Sequence, residues 1–565
     1  MSWADWAVLS ATILLIVVYG IYKSRGAKNI DGYLLGDRSL PWYHVGLSVM
    51  ATQASAITFL SAPGLAYADG MRFVQFYFGL PLAMIILCIT FIPIYHKLKV
   101  YTAYEFLEQR FDLKTRAFTA FLFLIQRGLS TGITIYAPSI ILSTILNIDT
   151  TYTTLFIGSV VVIYTVYGGT KAVSYTQMLQ MSIIFCGMFL AGFMVVKLMP
   201  ADVGFVKALK IAGKMDRMNV IDWTFDLNNR YTVWTGILGG LFLQLSYFGT
   251  DQSQVGRYLT GSTVAQSRMG LLMNAMLKIP MQFLILLIGI LVFAFYQFQK
   301  PPIFFNNYEL NRVENSSYNA DFQKHQKAFD QAFADKKEKV LALEEALAKG
   351  RNIPQATEAV KSANAALSDA RNSALTVMKQ NNPHADLDDT NYVFLTFVTQ
   401  HLPKGLVGLL IAIVCLASMG STASALNSLA STTSVDIYKR LIHKSATDLR
   451  YLNISKLSTF FWGIISIAMA LYASKLGNLL EAVNILGSLF YGTILGIFLV
   501  AFYFKRVGGK AVFYGAILSE VFVFIAFKYD WMAYLWLNLF GCVLVIVFGM
   551  LLQMLQKPQL PKPVN

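Results

Sequence analysis

Long apolar stretches alternate with short polar ones along most of the chain. About thirteen of these stretches come near the roughly 20 apolar residues that a helix needs to cross a bilayer. The pattern therefore predicts an all-α, multi-pass membrane protein, because helices satisfy their own backbone hydrogen bonds in lipid. The predicted spans are 5–23, 42–65, 75–97, 117–146, 151–169, 177–199, 232–254, 266–298, 404–434, 454–475, 478–504, 511–528 and 532–555.

Composition and charge agree with this interpretation. Hydrophobic residues make up 56% of the chain and charged residues 14%, with a net charge of +15. Basic residues follow every odd-numbered span, so we attribute the surplus to membrane topology and anionic lipid rather than to nucleic acid. This places the N-terminus outside and the C-terminus in the cytoplasm, and we expect a plasma (bacterial inner) membrane. The four cysteines lie inside apolar runs and predict neither disulfides nor a metal site.

The span Leu47–Gly70 is a poor candidate for a continuous lipid-facing helix. It carries several polar side chains and then reaches Ala62-Pro63-Gly64, where we expect the helix to break. Carbonyls freed by a break in lipid need partners, so a break persists where it lines a cavity or holds an ion. We therefore expect the first half of a substrate and cation site here. Its polar residues are Thr52, Gln53, Ser55, Thr58 and Ser61.

A second span of this kind is Gly236–Tyr258, five spans later. It carries Gln244 and Tyr247 at mid-depth and then the sequence Gly249-Thr-Asp-Gln252. By the topology above, the two interrupted spans run in opposite directions. Interrupted spans at corresponding positions of two inverted halves are typical of secondary transporters with a site at the membrane midplane.

A third segment, 417–428, is rich in small and hydroxyl-bearing residues. Such residues serve close helix packing. Beside a broken helix, their oxygens also suit sodium, which as a hard cation takes oxygen ligands. The chain has no HExxH motif, Walker loop or Cys/His cluster, and we expect that it is not an enzyme.

Two charged residues, Arg127 and Lys278, lie about half-way along predicted spans. A charge at this depth is costly and indicates a functional site. Arg127 could bind a carboxylate through two hydrogen bonds or form an internal pair. For Lys278, contact with substrate and internal pairing both remain open.

The polar segment 299–403 interrupts the series of spans and falls on the outside in the predicted topology. Apolar residues recur at spacings of three, four and seven over 322–347 and of three and four over 356–377, on either side of a breaker at 350–354. These spacings predict two helices that pack as a hairpin. We favour a passive insertion, and the alternative is a docking surface for an external partner.

Several motifs together resemble the sodium:solute symporter family, which includes sodium/galactose, sodium/iodide and sodium/multivitamin transporters. The resemblance covers nearly the whole chain except the insertion. Thr58–Tyr67 looks closest to the iodide and vitamin branch. The motifs are Tyr101–Phe111, Tyr167–Val173, Gly249–Gln252 with Arg257-Tyr258, Asp436–Lys439, and Phe504–Arg506 before Gly515.

The resemblance implies a leucine-transporter-type fold, in which a leading helix precedes two inverted five-helix repeats and two trailing helices. It also implies sodium as the coupling ion. The sodium ligands would be the carbonyls of Ala51, Ala54 and Ala417 and the hydroxyl of Ser421. The family's further hydroxyl falls on Gly420, so one oxygen is missing unless Ser418 or Thr422 replaces it.

The resemblance also implies substrate positions and two departures from the family. Gln177 replaces a family aspartate, so we expect no second sodium site. Tyr77 replaces the glutamate of sugar transporters, which argues against a galactose-like substrate and, with the two buried charges, favours a small organic anion. The family's substrate positions fall on Gln53, Thr58, Gln244 and Lys278, with an inner gate at Tyr247. With the buried charge of Arg127 and with Phe76, the expected substrate-binding residues are Gln53, Thr58, Phe76, Arg127, Gln244, Tyr247 and Lys278.

We therefore expect a sodium-coupled symporter that imports a small organic solute, such as a carboxylate, by alternating access. A sodium/sugar symporter and a proton-coupled relative are the alternatives, and a symporter-derived receptor or scaffold is a different class. We expect three parts. Residues 1–298 hold the leading helix and core helices 1–7, 299–403 form the external insertion, and 404–565 hold core helices 8–10 and two trailing helices.

Overall fold

The computed structural model describes residues 1–23 and 38–556. Arg25 and Lys28, which belong to the basic loop after the first span, lie outside the described residues, as does the tail 557–565. So do the side chains of 167–172, which form most of one family motif. Among the described residues the regular structure is helical, and a single isolated bridge joins Leu40 to Gly261. The predicted all-α fold is confirmed.

In the described ranges before the insertion there are twelve α-helices. A 3₁₀ segment, Gly70–Tyr77, follows the third helix, and a π-helical segment, Thr235–Gly239, precedes the tenth. The helices are α1 Trp3–Lys23, α2 Trp42–Gln53, α3 Ala56–Asp69, α4 Leu80–Ile89, α5 Phe91–Leu98, α6 Glu105–Arg110, α7 Leu113–Leu146, α8 Thr150–Lys197, α9 Phe205–Lys214, α10 Gly240–Gly249, α11 Gln252–Tyr258 and α12 Val264–Phe298.

From the insertion to residue 556, where the description ends, there are nine α-helices. A π-helical segment, Thr433–Ile442, extends the seventeenth helix at the side of its C-terminus. The helices are α13 Asn307–Glu314, α14 Asn319–Lys349, α15 Ile353–Asn381, α16 Thr390–His401, α17 Leu406–Thr432, α18 Asp448–Tyr472, α19 Leu479–Tyr503, α20 Gly509–Lys528 and α21 Tyr534–Met554.

Nine helical stretches within the described ranges are long and apolar enough to cross a membrane, from Ala56–Leu98 to Tyr534–Met554. Two shorter apolar stretches, Trp3–Ile16 and Thr150–Ile163, accompany them. The chain is therefore a multi-pass membrane protein. The interrupted span at 232–254 is absent from this set because it is divided among several short helical pieces.

Helix α8 covers two of the predicted spans, and its two halves run in opposite directions. The first half is antiparallel to α18, and the second half is antiparallel to α17. Since α17 and α18 are themselves antiparallel neighbours, the chain reverses direction between Ile163 and Val173. The contacts that show this are Gly158–Ile467 and Val162–Gly463 for α18, and Gly187–Ile413 and Gln180–Gly420 for α17.

The two interrupted spans also run in opposite directions, as predicted. Helices α2 and α3 run parallel to α12, α4 runs antiparallel to α12, and α10 runs parallel to α4. The contacts are Gly46–Gly270 and Pro63–Gly289, then Tyr77–Gln282 and Cys88–Arg268, and finally Gly79–Leu241 and Leu87–Gly249. This inversion brings two oppositely directed helix breaks into one helical core.

The segment 299–403 contains α13 to α16, of which α14 and α15 pack against each other as a hairpin. Gly350 ends α14 with a left-handed φ of +66°, which glycine adopts without strain. Two ion pairs connect the hairpin to α9 and the loop that follows it. Lys207 in α9 pairs with Glu344 at 2.9 Å, and Asp216 in the loop pairs with Lys361 at 2.6 Å. The buried seam residues are Phe322, Phe329, Phe333, Val340, Leu343, Val360, Ala363, Leu367, Ala374 and Val377.

Candidate functional site

The first helix break lies between α2 and α3, at Ala54 and Ser55. Ser55 has an extended backbone, and its N–H bonds to the carbonyl of Gln53 at 3.0 Å. The N–H of Thr58 bonds to the carbonyl of Ser55, also at 3.0 Å. In a continuous helix these two N–H groups would bond to the carbonyls of Ala51 and Ala54. At the break, the two N–H groups that would bond to the carbonyls of Ala51 and Ala54 bond to other carbonyls instead. These two carbonyls are among the predicted sodium ligands.

The predicted position of this break, Ala62-Pro63-Gly64, is wrong. Helix α3 continues through Pro63 to Asp69. Here proline and glycine serve close packing instead, because a Cβ on Gly64 would lie 1.8 Å from the carbonyl oxygen of Thr390. On the other side, a Cβ on Gly289 would lie 2.2 Å from the carbonyl oxygen of Pro63. Small residues at helix contacts allow this approach in membranes.

The second break separates α10 from α11 at Thr250 and Asp251, as predicted for this span. The Asp251 carboxylate caps α11 by accepting hydrogen bonds from the N–H of Ser253 at 2.8 Å and from its hydroxyl at 2.6 Å. The Tyr95 hydroxyl donates to the carbonyl of Gly249 at 2.7 Å. The Tyr104 hydroxyl donates to the carbonyl of Thr250 at 2.9 Å. Protein groups thus satisfy the carbonyls at this break.

A cavity of about 80 Å³ lies between the two breaks and reaches α7 and α19. Six of the seven predicted substrate-binding residues line it, and they come from α2, α3, the 3₁₀ segment, α7 and α10. These six are Gln53, Thr58, Phe76, Arg127, Gln244 and Tyr247.

The polar groups around this cavity are incompletely hydrogen-bonded. The side-chain oxygens of Gln53 and Gln126, both amide atoms of Gln244 and the Nε of Arg127 are buried and have no partner within the protein. A buried polar group without a partner costs about 1–3 kcal/mol. A concentration of such groups around one cavity is the arrangement expected of a ligand site.

Arg127 connects the cavity to the second break. Its Nη1 lies 3.8 Å from the Asp251 carboxylate, and its Nη2 donates to the Ser253 hydroxyl. The Tyr491 hydroxyl donates to the same carboxylate at 2.8 Å. The guanidinium also lies 5.6 Å from the centre of the Tyr247 ring. Arg127 therefore has an internal partner and still faces the cavity, so both roles considered for it are compatible with its position.

The structure does not place Lys278 on the cavity wall. The residue is completely buried in α12, and its Nζ has no hydrogen-bond partner. It lies 5.9 Å from the ring of Tyr77, which does line the cavity. Asn274 and Gln282, one helical turn to either side, also carry unpartnered amide atoms. Tyr77 thus separates a polar stripe on α12 from the cavity.

Two of the predicted sodium ligands, Ala417 and Ser421, lie on α17, which packs against both halves of the first interrupted span, where Ala51 and Ala54 lie. The Thr52 hydroxyl lies 3.2 Å from that of Ser424 on α17. The amide of Gln177 on α8 bridges the same helices, accepting from Ser48 at 2.7 Å and donating to Ser424 at 2.9 Å. The hydroxyl of Ser421 donates to the carbonyl of Ala417 at 2.9 Å.

At Gly420 the structure shows what fills the space of the absent hydroxyl. A Cβ on this residue would lie 2.6 Å from the side-chain oxygen of Gln180. The Ser418 hydroxyl donates to the carbonyl of Thr134 on α7, so it is engaged elsewhere. The Thr422 hydroxyl is buried without a partner. An amide oxygen from α8 therefore lies beside the predicted ion site.

Some residues around these sites were hard to predict from the sequence. Tyr491, Asn484 and Gly487 line the cavity from α19, where an aromatic, an amide or a small residue is unremarkable in an apolar span. Gln126 is adjacent to Arg127, so its polarity within an apolar run was an available signal. Gln180 was visible in the same way.

Several characterised proteins resemble the chain over most of its length. It is 27% identical over 518 residues, 90% of this chain and 70% of the relative, to the sodium-coupled monocarboxylate transporter 1 of Xenopus laevis. It is 25% identical to the sodium/sialic acid symporter SiaT of Proteus mirabilis, covering 96% of this chain and 94% of the relative. It is also 25% identical to the sodium/glucose cotransporter of Vibrio parahaemolyticus, covering 92% and 84%.

A solved structure of a Na⁺-coupled sialic acid symporter in a substrate-bound, outward-open state superposes with a TM-score of 0.75 at 23% identity, covering 99% of both chains. The expected leucine-transporter-type fold is thus confirmed. The model of the sodium:solute symporter family matches residues 33–307 and 374–519, most of the chain. The chain therefore belongs to the sodium:solute symporter family and is a sodium-coupled solute transporter rather than an enzyme.

Proposed function

We propose that this protein imports a small carboxylate together with sodium by alternating access. The observation that carries the proposal is Arg127, a buried cation on the cavity wall whose Nε has no partner. Two relatives, a monocarboxylate transporter and a sialic acid symporter, carry acids by name, which supports an anionic substrate.

Arg127 has the chemistry to recognise a carboxylate. Its guanidinium can donate two parallel hydrogen bonds, which makes the contact both strong and directional. Its distance of 3.8 Å from Asp251 is long for an ion pair, and Asp251 has Tyr491 and Ser253 as further donors. A substrate carboxylate can therefore bind Arg127 while the Asp251 carboxylate remains hydrogen-bonded.

The other predicted substrate residues would complete this contact. We assign the amides of Gln53 and Gln244 and the hydroxyl of Thr58 to the remaining polar atoms of the substrate, with Phe76 and Tyr247 enclosing it. Lys278 would reach the substrate after a rotation of Tyr77, since Tyr77 lies between Lys278 and the cavity. These assignments rest on the unpartnered polar atoms around the cavity.

We assign the sodium ion to the junction of the first break with α17. The carbonyls of Ala51, Ala54 and Ala417 and the hydroxyl of Ser421 would be its ligands, as hard cations take oxygen ligands. The side-chain oxygen of Gln180 would replace the oxygen that is missing at Gly420, because it occupies the adjacent space. Sodium and substrate would then both act at the first break, which makes their binding reciprocally coupled.

A thermal-shift screen of the purified protein tests the substrate class. We expect small carboxylates to raise the unfolding temperature more in sodium than in choline buffer, since ligands stabilise the state that binds them. In Arg127→Met the apparent affinity for the carboxylate should fall by about 10- to 150-fold, the effect of losing a charged hydrogen bond. Arg312→Met, which removes an exposed guanidinium outside the membrane spans, is the matched control.

A neutral sugar is the second candidate because the cavity carries amides that can bond to hydroxyl groups, and one relative is a sodium/glucose cotransporter. Sodium-dependent stabilisation by sugars alone, unchanged in Arg127→Met, would establish the sugar and refute the carboxylate. A pH gradient that drives uptake without sodium would refute the sodium assignment.

We further propose a bacterial inner membrane location with the N-terminus outside and the C-terminus in the cytoplasm, on the charge of the loops. In this topology 1–298 and 404–565 form the transport core and 299–403 an external insertion. We treat the hairpin as part of this protein's own outer face, and an external partner for it remains the alternative.

A further inference from the structure

A second polar cavity, of about 260 Å³, lies where the hairpin meets the transport core. The ends of α3 and α12 form one wall, and α14, α15 and the start of α16 form the other. The family model does not match residues 308–373, so most of the hairpin wall of this cavity lies outside the matched segments. The residues with charged or amide side chains are Arg217, Gln297, Lys336, Asn364, Arg371 and Asp389.

Lys336 on α14 is the most unusual of these residues. Only 3% of it is exposed, although it belongs to a helix outside the membrane spans. No carboxylate of the described residues forms an ion pair with it. Burial, and secondarily the charge of Arg217, lowers its pKa to about 8. Buried lysines are normally paired, so this one indicates a missing counter-charge.

Arg217, on the loop after α9, contributes a second cation. Its Nη1 donates to the carbonyl of Ala68, and its guanidinium lies 5.0 Å from the centre of the Phe293 ring. Its Nε is buried and has no partner. The charge of Arg217 lowers the pKa of Lys336, and both cations line one cavity. Burial lowers the pKa of Arg217 itself, whereas the carboxylates of Asp69 and Asp216, which are not on the cavity wall, raise it.

The acidic residue of the cavity does not compensate these charges. One oxygen of Asp389 accepts from Arg371 at 2.7 Å, and the other accepts from the N–H of Phe305 at 2.7 Å. Asp389 and Arg371 thus neutralise each other. Within the described cavity wall, Lys336 and Arg217 remain as two positive charges.

Most of the rest of the wall is aromatic or aliphatic, and Ser368 and Thr390 add two hydroxyl groups. The large apolar or aromatic residues are Tyr67, Phe293, Phe305, Phe329, Leu367 and Val393. We propose that this cavity is a binding site for a small dicarboxylate, held by Lys336 and Arg217 and packed against the apolar wall. The two charges match a dianion, and the apolar wall favours an organic one over phosphate. The inference does not depend on which substrate binds in the transport cavity, which is the cavity between the two helix breaks.

Isothermal titration calorimetry of the purified full-length protein tests this proposal by measuring ligand affinity. Succinate and inorganic phosphate are titrated separately in sodium-free choline buffer, and succinate is expected to bind more tightly than phosphate. Lys336→Met should weaken succinate binding at least about tenfold, as expected for loss of a charged contact. Lys337→Met removes an exposed lysine from the neighbouring position and should leave the affinity unchanged.

Arg127→Met separates this cavity from the transport cavity, and succinate should bind to that variant as it does to the wild type. Loss of binding in Arg127→Met would place succinate in the transport cavity and overturn the proposal. Equal affinity in Lys336→Met, tighter binding of phosphate, or no binding to the wild type would also overturn it. Arg217→Gln provides an independent second variant if Lys336→Met does not yield folded protein.

Discussion

Buried polar atoms without partners, or a buried charge without an ion pair, are found at both cavities. In the transport cavity, between the two helix breaks, these atoms belong to Arg127 and the amides around it, and in the cavity beside the hairpin they are the Nε of Arg217 and the ammonium group of Lys336. An isolated charge in a protein interior is destabilising, so a protein that keeps one gains elsewhere, usually by binding a ligand. Each residue therefore yields a prediction in which the cost to stability and the loss of binding are measured separately.

We expect Lys336→Met to increase thermal stability at pH 7. The lysine pKa falls from 10.5 to about 8 on folding. Below pH 8 both states are protonated and the native state carries the full penalty, about 3 kcal/mol for a shift of this size. Between about pH 8 and 10.5 the unfolded chain binds more protons, so wild-type stability rises with pH relative to the variant.

The measurement is the unfolding temperature of wild type, Lys336→Met and Lys337→Met from pH 6 to 10. The advantage of Lys336→Met should shrink as the pH rises above about 8, whereas Lys337→Met should follow the wild type throughout. An Lys336→Met protein that is less stable than wild type at every pH would show that Lys336 is paired in solution.

At the sodium site we expect Gln180→Leu to raise the sodium concentration that gives half-maximal uptake. The variant removes the oxygen beside Gly420 without adding bulk. Losing one bond to a charged ligand corresponds to about 1.5–3 kcal/mol, or roughly 10- to 150-fold. Gln299→Leu, at the exposed end of α12, is the control. An unchanged sodium dependence would exclude Gln180 as a ligand.

Single residues in the transport cavity were predictable to the extent that they contrast with their surroundings. Arg127 and Gln53 are polar within apolar runs, and such contrasts are rare and informative in membrane spans. Tyr491 offers no contrast because tyrosine is common in membrane proteins. The hairpin cavity was not predictable at all, since Lys336 is one of many lysines in a polar helix and its burial depends on tertiary packing.

At the scale of helices, the sequence predicted that Leu47–Gly70 is interrupted but not where. The proline at position 63 predicted a break at 62–64. The helix is instead interrupted at Ala54 and Ser55, neither of which is a proline or a glycine. Tertiary contacts decide the outcome. Neighbouring helices accommodate Pro63 within α3 by close packing, and ordinary residues adopt extended backbone where α17 and the cavity surround them.

Gly64→Ala tests the packing role of this region. A Cβ there would collide with the carbonyl of Thr390, a backbone atom that cannot rotate away. We expect destabilisation of about 1–3 kcal/mol or more, from overpacking. Gly204→Ala is the matched control, since no atom lies within 4 Å of its Cβ and it should change stability by less than about 0.5 kcal/mol. Equal thermal stability of the two variants would contradict the tight contact between α3 and α16.

For the whole molecule, the inverted direction of the two interrupted spans followed from loop charge alone, because a miscounted span would have destroyed the alternation of basic loops. Turns between spans were located only approximately. The sequence predicted a turn between the spans 151–169 and 177–199, where Gly168, Gly169 and Lys171 lie, and the two halves of α8 reverse direction between Ile163 and Val173. The sequence predicts the number of crossings better than the shape of each connection, since only the former is fixed by hydrophobicity.

Cysteine labelling in intact cells tests the proposed orientation. With the four native cysteines replaced, Arg351→Cys at the hairpin tip should react with a membrane-impermeant maleimide. Lys444→Cys, between α17 and α18, should react only after the cells are permeabilised. Reaction of both variants in intact cells, or the reverse order, would contradict the orientation assigned from loop charge.

The most direct test of the account is uptake into proteoliposomes that contain the purified protein and a radiolabelled carboxylate selected by the thermal-shift screen. An inward sodium gradient should drive accumulation above the external concentration. A pH gradient without sodium should not drive it, and Ser421→Ala should require more sodium. Accumulation that follows the pH gradient and ignores sodium, or equilibration without accumulation, would contradict sodium-coupled symport.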